Sequence, residues 1–228
     1  MGVISSQSLK DYKSQSSLLS LMRPIIVFEG HDGSGKTSCV ESVIKSKCSY
    51  RFPGGSPESE SLRRIIKKGK LVPKVEYLLQ LACFSQTVSE YVHIKSMEEM
   101  YLIQTPVVFD RYWPSSLVYQ HYISGIPSER ILNDLRFFRV PFGDIFFFFY
   151  CTYDVAKDRI NKRKSKDDDD HWETFLSKSI QYYENVMHVI NNTFSNVYTI
   201  DTSSLSKDEV NEFVKTKIKE HGYENILS

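Results

Sequence analysis

Residues 25–37 constrain the fold more than any other part of this chain. Ile25-Ile26-Val27-Phe28 is a continuous apolar run, and Gly30-His31-Asp32-Gly33-Ser34-Gly35-Lys36-Thr37 follows it. Such a run reads as a strand buried on both faces. The G-x-x-x-x-G-K-T spacing lets the backbone turn tightly, so that its N–H groups point inward at phosphate oxygens where a helix begins. Lys36 supplies a mobile cation for the β- and γ-phosphates, and Thr37 supplies a hydroxyl for Mg²⁺. Gly30, Gly33, Ser34, Gly35 and Ser38 complete the expected cradle for a nucleoside triphosphate. The loop alone leaves the acceptor open among GTPases, motor ATPases, nucleoside kinases and nucleotide kinases. No N-K-x-D string follows a later strand, which argues against a GTPase.

The rest of the chain repeats the pattern. Apolar runs at 25–29, 48–52, 106–110, 144–150 and 196–200 alternate with helical stretches at 36–46, 57–69, 74–103, 113–138 (broken near Gly125 and Pro127), 154–163, 172–193 and 206–220. Strand and helix in alternation predict a parallel sheet covered on both faces. Ligands of such sheets bind beyond the carboxyl ends of the strands. The 228 residues suit one α/β domain, expected over 24–228. Residues 1–23 are Ser-rich, with Lys10, Lys13 and Arg23 against a single acid, Asp11, and are expected to be a flexible extension.

Bulk composition narrows the partners. With 41% apolar and 25% charged residues the chain is not disordered as a whole. A net charge of +1 creates no overall field for nucleic acid or for a membrane surface, so neither partner is expected. Four cysteines without a C-x-x-C pair suit a reducing, cytoplasmic setting. The basic, Ser-rich start leaves a mitochondrial address as the alternative.

Further motifs stand at the predicted strand ends. Arg51 precedes Phe52-Pro53-Gly54-Gly55, and its planar fork suits a second phosphate. Val107-Val108-Phe109 leads to Asp110-Arg111-Tyr112: Asp110 can hold Mg²⁺ through water, and Arg111 can bridge donor and acceptor phosphates. Ser115, Ser116, Tyr119 and Gln120 follow on a helix, with Ser116, Tyr119 and Gln120 near one face as groups that read a base edge or a sugar hydroxyl. Asp154 is expected to cap a helix whose Arg159, Lys162 and Arg163 share one face and lead into a polar lid at about 160–172. A lid arginine, 159 or 163, could close on the transferring phosphoryl group. The run Asp167–Asp170 reads as solvated, since nothing around it has calcium-loop spacing.

Taken in order, Gly30-x4-Gly35-Lys36-Thr37, Arg51-x-Pro53-Gly54-Gly55, Asp110-Arg111-Tyr112-x-x-Ser115-Ser116-x-x-Tyr119-Gln120 and the basic lid resemble the thymidylate kinase family from about Pro24 to the C-terminus. Asp170-His171-Trp172-Glu173 is similar to the family's D-R-x-E lid ending, with histidine in place of arginine. The resemblance implies a P-loop NTPase three-layer α/β fold: a five-stranded parallel sheet, helices on both faces and a short lid. It also implies a homodimer touching through the helix around 74–103. It implies ATP as donor, Mg²⁺ as cofactor and a pyrimidine nucleoside monophosphate as acceptor. Asp32 would point at the acceptor sugar's 3′-hydroxyl, Arg51 and Arg111 would hold its phosphate, and Phe84 would stack on its base. Asp201-Thr202-Ser203 would lie against adenine. Gly33 in the loop, with Arg159 and Arg163 in the lid, is similar to the lid-arginine type.

One position departs from the family. Val88 stands where an arginine usually faces the thymine, four residues after Phe84. The resemblance implies dTMP to dTDP as the reaction, and the departure at Val88 weakens the case for thymine and brings in a UMP, CMP or dCMP kinase, or a broad deoxynucleotide kinase, as alternatives. A mitochondrial-type UMP–CMP kinase shares a string like Asp110-Arg111-Tyr112-Trp113. A deoxynucleoside kinase ranks lower, because it needs an acid after the second strand, where Arg51-Phe52 stands. A nucleotide-binding regulator without catalysis is disfavoured by the intact Lys36, Arg51 and Arg111.

Overall fold

The computed structural model describes residues 4–16, 22–69, 71–92, 104–162 and 172–228. Five strands, β1 (Ile25–Gly30), β2 (Ser49–Arg51), β3 (Val107–Asp110), β4 (Ile145–Tyr150) and β5 (Val197–Asp201), form one parallel sheet in the order β2-β3-β1-β4-β5. All five predicted strands are present within a residue or two of their expected bounds. The expected P-loop NTPase architecture is the one observed.

Alternation along the strands builds two cores. Ile25 and Val27 of β1, Val107 and Phe109 of β3, and Phe146 and Phe148 of β4 face one cluster. Ile26, Phe28, Val108, Ile145, Phe147 and Phe149 face the other. Successive strand residues point to opposite faces, so a sheet greasy on both sides requires continuous apolar runs.

The second face is covered by α2 (Lys36–Val43) and α9 (Lys207–Glu220), through Val40, Val43, Val210, Val214 and Ile218. The first is covered by α4 (Pro73–Tyr91), α6 (Ser128–Phe137) and α8 (Trp172–Asn191), together with the short α5 (Trp113–Ser116) and the π-helical turn Leu117–Ile123 that continues it. Helix starts follow local chemistry. Ser56 caps α3 (Pro57–Lys67) by accepting from Ser59 N at 3.1 Å, with Pro57 at the first position. Ser206 and Glu209 form a reciprocal capping box on α9. The expected cap at Asp154 differs: α7 (Tyr153–Asn161) is preceded by Thr152, and Asp154 lies in the first turn, where its charge favours the helix dipole.

The N-terminal expectation is corrected over the described residues. Residues 6–16 are not a flexible tail but a helix, α1 (Ser6–Ser16), packed on α6 and α8. Ile4, Leu9 and Tyr12 are buried. The Tyr12 hydroxyl donates to Val140 O at 2.7 Å, and its ring meets Trp113 and Phe142 edge-on at 5.5 and 5.6 Å. Apolar residues spaced by three to five within a polar, Ser-rich segment are enough to dock one helical face. Overall composition hid that face. Arg163 and most of the expected lid lie outside the described residues, as do residues 93–103 of the helix expected at 74–103.

Tyr12→Ala should destabilise the protein by about 3–5 kcal/mol, as for other buried aromatics, and Tyr12→Phe by about 1 kcal/mol for the lost hydrogen bond. Urea denaturation measures both. A Tyr12→Ala midpoint equal to wild type would mean that α1 is not part of the folded core.

Candidate active site

The strand register decides which side chains meet. Asp110 pairs with Phe28 of β1 on one side and with Arg51 of β2 on the other, so the last residue of β3 sits between the phosphate loop and the end of β2. Asp110 Oδ2 accepts from the Thr37 hydroxyl at 2.7 Å and faces Arg51 Nε at 3.4 Å. Its buried Oδ1 has no aligned hydrogen-bond donor and faces Lys36 Nζ at 3.1 Å as an ion pair. Burial alone would raise the Asp110 carboxyl. The Lys36 ammonium, the Thr37 hydroxyl and Arg111 outweigh it and hold the group below the usual range. Lys36 is itself pushed down, by burial first and then by the Arg111 charge.

The loop is shaped by contacts that exclude side chains. A Cβ at Gly30, where φ is 146°, would lie 2.1 Å from Phe149 O. A Cβ at Gly33 would lie 2.7 Å from Ala156 O and 2.8 Å from its Cα, so α7 closes the loop position at which an arginine could otherwise stand. Gly35 caps α2 with φ 88° and brings no side chain to the helix start, so an anion can approach the first turn. The Ser34 hydroxyl is buried without a partner.

His31 braces this loop from behind. Cys151 N–H donates to its Nε2 at 3.2 Å, so Nδ1 carries the proton and donates to Asp32 O at 2.8 Å. Burial lowers its affinity for a proton and keeps the ring neutral.

Arg111 reaches over the loop. Its backbone is left-handed, φ 70°. The guanidinium donates to Gly30 O at 3.1 Å, to Asp32 Oδ1 at 2.5 Å and to the Tyr183 hydroxyl, and it lies over the rings of Tyr119 and Tyr183. The Arg111 charge holds the Asp32 carboxyl below its ordinary range.

A cleft of about 510 Å³ opens in front of these groups, bordered by Asp32, Lys36, Thr37, Arg51, Asp110, Arg111 and Tyr119. A second hollow of about 200 Å³ lies on the other side of the loop, between Gly35, Ser38, Arg159, Thr202 and Lys207. A larger apolar cavity of 710 Å³ runs between the starts of α4 and α6, past Tyr77, Leu78 and Ile126, away from every phosphate-binding group.

Several expected site residues stand elsewhere. Arg159 is drawn to the second hollow, where it donates to Gly33 O at 3.2 Å, Thr202 Oγ1 at 2.8 Å and Thr202 O at 2.7 Å, so it does not line the cleft between donor and acceptor. Phe84 is buried with its ring stacked on Phe52 at 3.7 Å, and of the two it is Phe52 that borders the cleft. The Ser115 hydroxyl is occupied by Glu29, at 2.9 and 3.2 Å, and by Tyr183 at 2.8 Å. Ser116 and Gln120 are buried behind Tyr119, with the Gln120 amide donating to Glu76 at 3.4 Å.

Sequence reasoning missed Phe52, Gln80, and Arg63 and Lys67 of α3, which also border the cleft, and Glu29 and Tyr183, which hold Tyr112 and Arg111 beside it. An acid in the strand Ile25–Gly30 was a visible signal for Glu29. Tyr183 had none, because only the packing of α8 brings it to Arg111.

The His31 brace has a pH signature. A neutral buried histidine whose folded pKa lies below the unfolded value near 6.5 leaves stability intact above that pH. Stability is then lost as pH falls through 6.5 toward the folded pKa. His31→Gln should flatten this part of the stability profile, followed by urea midpoints between pH 5 and 8. An unchanged slope would mean that His31 is not the titrating group.

Comparison with known proteins agrees with this geometry. Residues 28–214 match the family model described as "Thymidylate kinase". The thymidylate kinase of Staphylococcus haemolyticus (strain JCSC1435) is 29% identical over 202 residues, covering 84% of this chain and 95% of that protein. That of Lactobacillus acidophilus (strain ATCC 700396 / NCK56 / N2 / NCFM) is 28% identical over 216 residues, covering 89% and 96%. The crystal structure of thymidylate kinase from Ehrlichia chaffeensis shares the fold, with a TM-score of 0.58 at 23% identity over 86% of this chain and 98% of that one. The matched span runs from the strand before the phosphate loop through most of α9, and the chain belongs to the thymidylate kinase family.

Proposed function

We propose that this protein transfers the γ-phosphoryl group of ATP to the phosphate of a pyrimidine nucleoside 5′-monophosphate, with dTMP as the preferred acceptor. The observation that carries the reading is the convergence of Lys36, Arg51 and Arg111 on one cleft, with the buried Asp110 among them. A triphosphate and a monophosphate repel each other strongly, and cations from three separate elements offset that repulsion where water is scarce. A phosphate acceptor is already ionised at neutral pH, so no side chain need act as a strong base. A hydroxyl acceptor would need one at the end of β2, where Arg51 stands.

Each residue then has a task. Lys36 and the loop N–H groups hold the donor β- and γ-phosphates. Arg111 and Arg51 hold the acceptor phosphate. The Asp32–Arg111 pair is the exchangeable contact: Asp32 is 60% exposed, and a dianionic phosphate can take its place on the guanidinium. Asp32 is then free to accept from the sugar 3′-hydroxyl. Phe52 offers its ring to the base, with Phe84 stacked behind it. Arg159, Ser38 and Thr202 flank the hollow that suits the adenine. The Thr37 hydroxyl and the buried Asp110 carboxylate fit Mg²⁺, which takes few protein ligands beside phosphates and water. Bound there, the ion supplies charge neutralisation between the β- and γ-phosphates.

Val88 favours a second reading of the base alone. It is buried in the core, so no cation stands at the position that usually faces the thymine. A broader acceptor range, with UMP, CMP or several deoxynucleotides, is consistent with that loss. The exposed Ile65, Val72, Val75 and Leu78 on and between α3 and α4 suit a homodimer interface. Four free, buried thiols suit a reducing, cytoplasmic compartment. Among the described residues no helix is long and apolar enough to cross a membrane.

ADP release from ATP–Mg²⁺ with dTMP, dUMP, dCMP, CMP, UMP and thymidine tests the acceptor. Preference for dTMP is expected. Turnover of thymidine but no monophosphate would overturn the reading. Arg111→Ala should lower kcat/KM for the acceptor by about 10²–10³-fold while leaving a folded protein. Light scattering after size exclusion should give twice the chain mass, and a monomer at micromolar concentration would remove the dimer.

A further inference from the structure

Arg111 makes the acceptor contacts from a backbone that does not hold itself in place. A left-handed φ at a residue with a Cβ costs about 1–3 kcal/mol and persists only where the surroundings over-determine it. Two strand-end contacts flank the strained residue. Before it, Arg111 N–H donates to Phe28 O at 2.9 Å. After it, Tyr112 N–H donates to Glu29 Oε1 at 2.7 Å. Phe28 and Glu29 are consecutive in β1, so one dipeptide grips the peptide groups on both sides of Arg111.

Glu29 does more than meet one amide. It is fully buried, yet it lies within a strand whose other side chains are apolar or glycine. Its Oε1 also accepts from Ser115 N at 3.2 Å, and both of its oxygens accept from the Ser115 hydroxyl. The helix α5 has no cap from its own Tyr112 side chain. A carboxylate from the neighbouring strand caps it instead. A charged acceptor at a helix start is stronger than a neutral one, and a lone carboxylate stays in a core only when its lone pairs are occupied. Ser115 in turn hydrogen-bonds the Tyr183 hydroxyl, which accepts from Arg111. The carboxylate therefore supports Arg111 along two routes, one through the backbone and one through Ser115 and Tyr183.

We propose that Glu29 is a positioning residue for the acceptor phosphate: it locks the turn Arg111-Tyr112 and the Ser115–Tyr183 pair so that the Arg111 guanidinium is aimed into the cleft before the acceptor arrives. The inference rests on the reading of Arg111 as the acceptor-phosphate group. Displacement of such a group by about 1 Å can cost about 10²-fold in rate. On the proposed reading the donor phosphates are held by the loop N–H groups and Lys36, whereas the Glu29 side chain hydrogen-bonds Tyr112 and Ser115, so the effect should fall chiefly on the acceptor.

A double-mutant cycle over wild type, Glu29→Ala, Arg111→Ala and the double variant tests this. The readouts are kcat/KM for dTMP and KM for ATP. Glu29→Ala should lower kcat/KM for dTMP by about 10²-fold, leave KM for ATP within about twofold, and cause no further loss once Arg111 is absent. Glu29→Gln retains an acceptor for Tyr112 N–H and should recover activity to within about tenfold of wild type. If Glu29→Ala does not fold, Glu29→Gln takes its place in the cycle, with a smaller loss that again vanishes without Arg111. Losses that add independently of Arg111, or a KM for ATP that rises in step with that for dTMP, would overturn the proposal. Wild type inactive with every monophosphate would instead sink the acceptor assignment. Binding of inorganic phosphate, by calorimetry on the same four proteins, would then decide whether Glu29 still acts only through Arg111.

Discussion

The site depends on one buried carboxylate at the point where three parallel strands end. Asp110 terminates β3 between β1 and β2, paired with Phe28 just ahead of the phosphate loop on one side and with Arg51 on the other. A negative charge there draws the Lys36 ammonium and the Thr37 hydroxyl to one point and keeps Arg51 at the mouth of the cleft. Without it, Lys36 and Arg111 would stand close together in a site that screens them poorly. Lys36 and Arg51 are thus brought together through their shared pairing with Asp110.

Around that centre the protein holds its working parts from behind. His31 ties the phosphate loop to the exit of β4, and its neutral state follows from burial. Ala156 of α7 closes over Gly33, so the loop cannot carry a side chain at that point. Glu29, Ser115 and Tyr183 support Arg111 from three different elements. None of these groups lies in the cleft. They convert a flexible loop and a strained turn into fixed positions, so less ordering is left to the moment of binding.

The same packing separates the two ends of the site. Arg159 is committed to Thr202 and Gly33, beside the smaller hollow. Phe52 and Phe84 stack together at the larger cleft, which Phe52 borders. Lys36 and Asp110 lie between them.

Much of this was legible in the residues themselves. Continuous apolar runs can be buried only in a sheet covered on both faces, and the glycine spacing of residues 30–37 admits little besides a phosphate cradle at a helix start. These are local properties of backbone and side chain, so the strands, the cradle and the placing of Lys36, Thr37, Asp110 and Arg111 at the strand ends could be read in order along the chain. Four things depended on contacts between residues far apart. α1 docks because Tyr12 finds Val140, Trp113 and Phe142. Phe84 turns its face to Phe52. Ser115 is taken by Glu29 and Tyr183. Arg159 is captured by Thr202. Each of these side chains has more than one plausible partner in sequence, and only close packing, which lets each surface be covered once, selects among them.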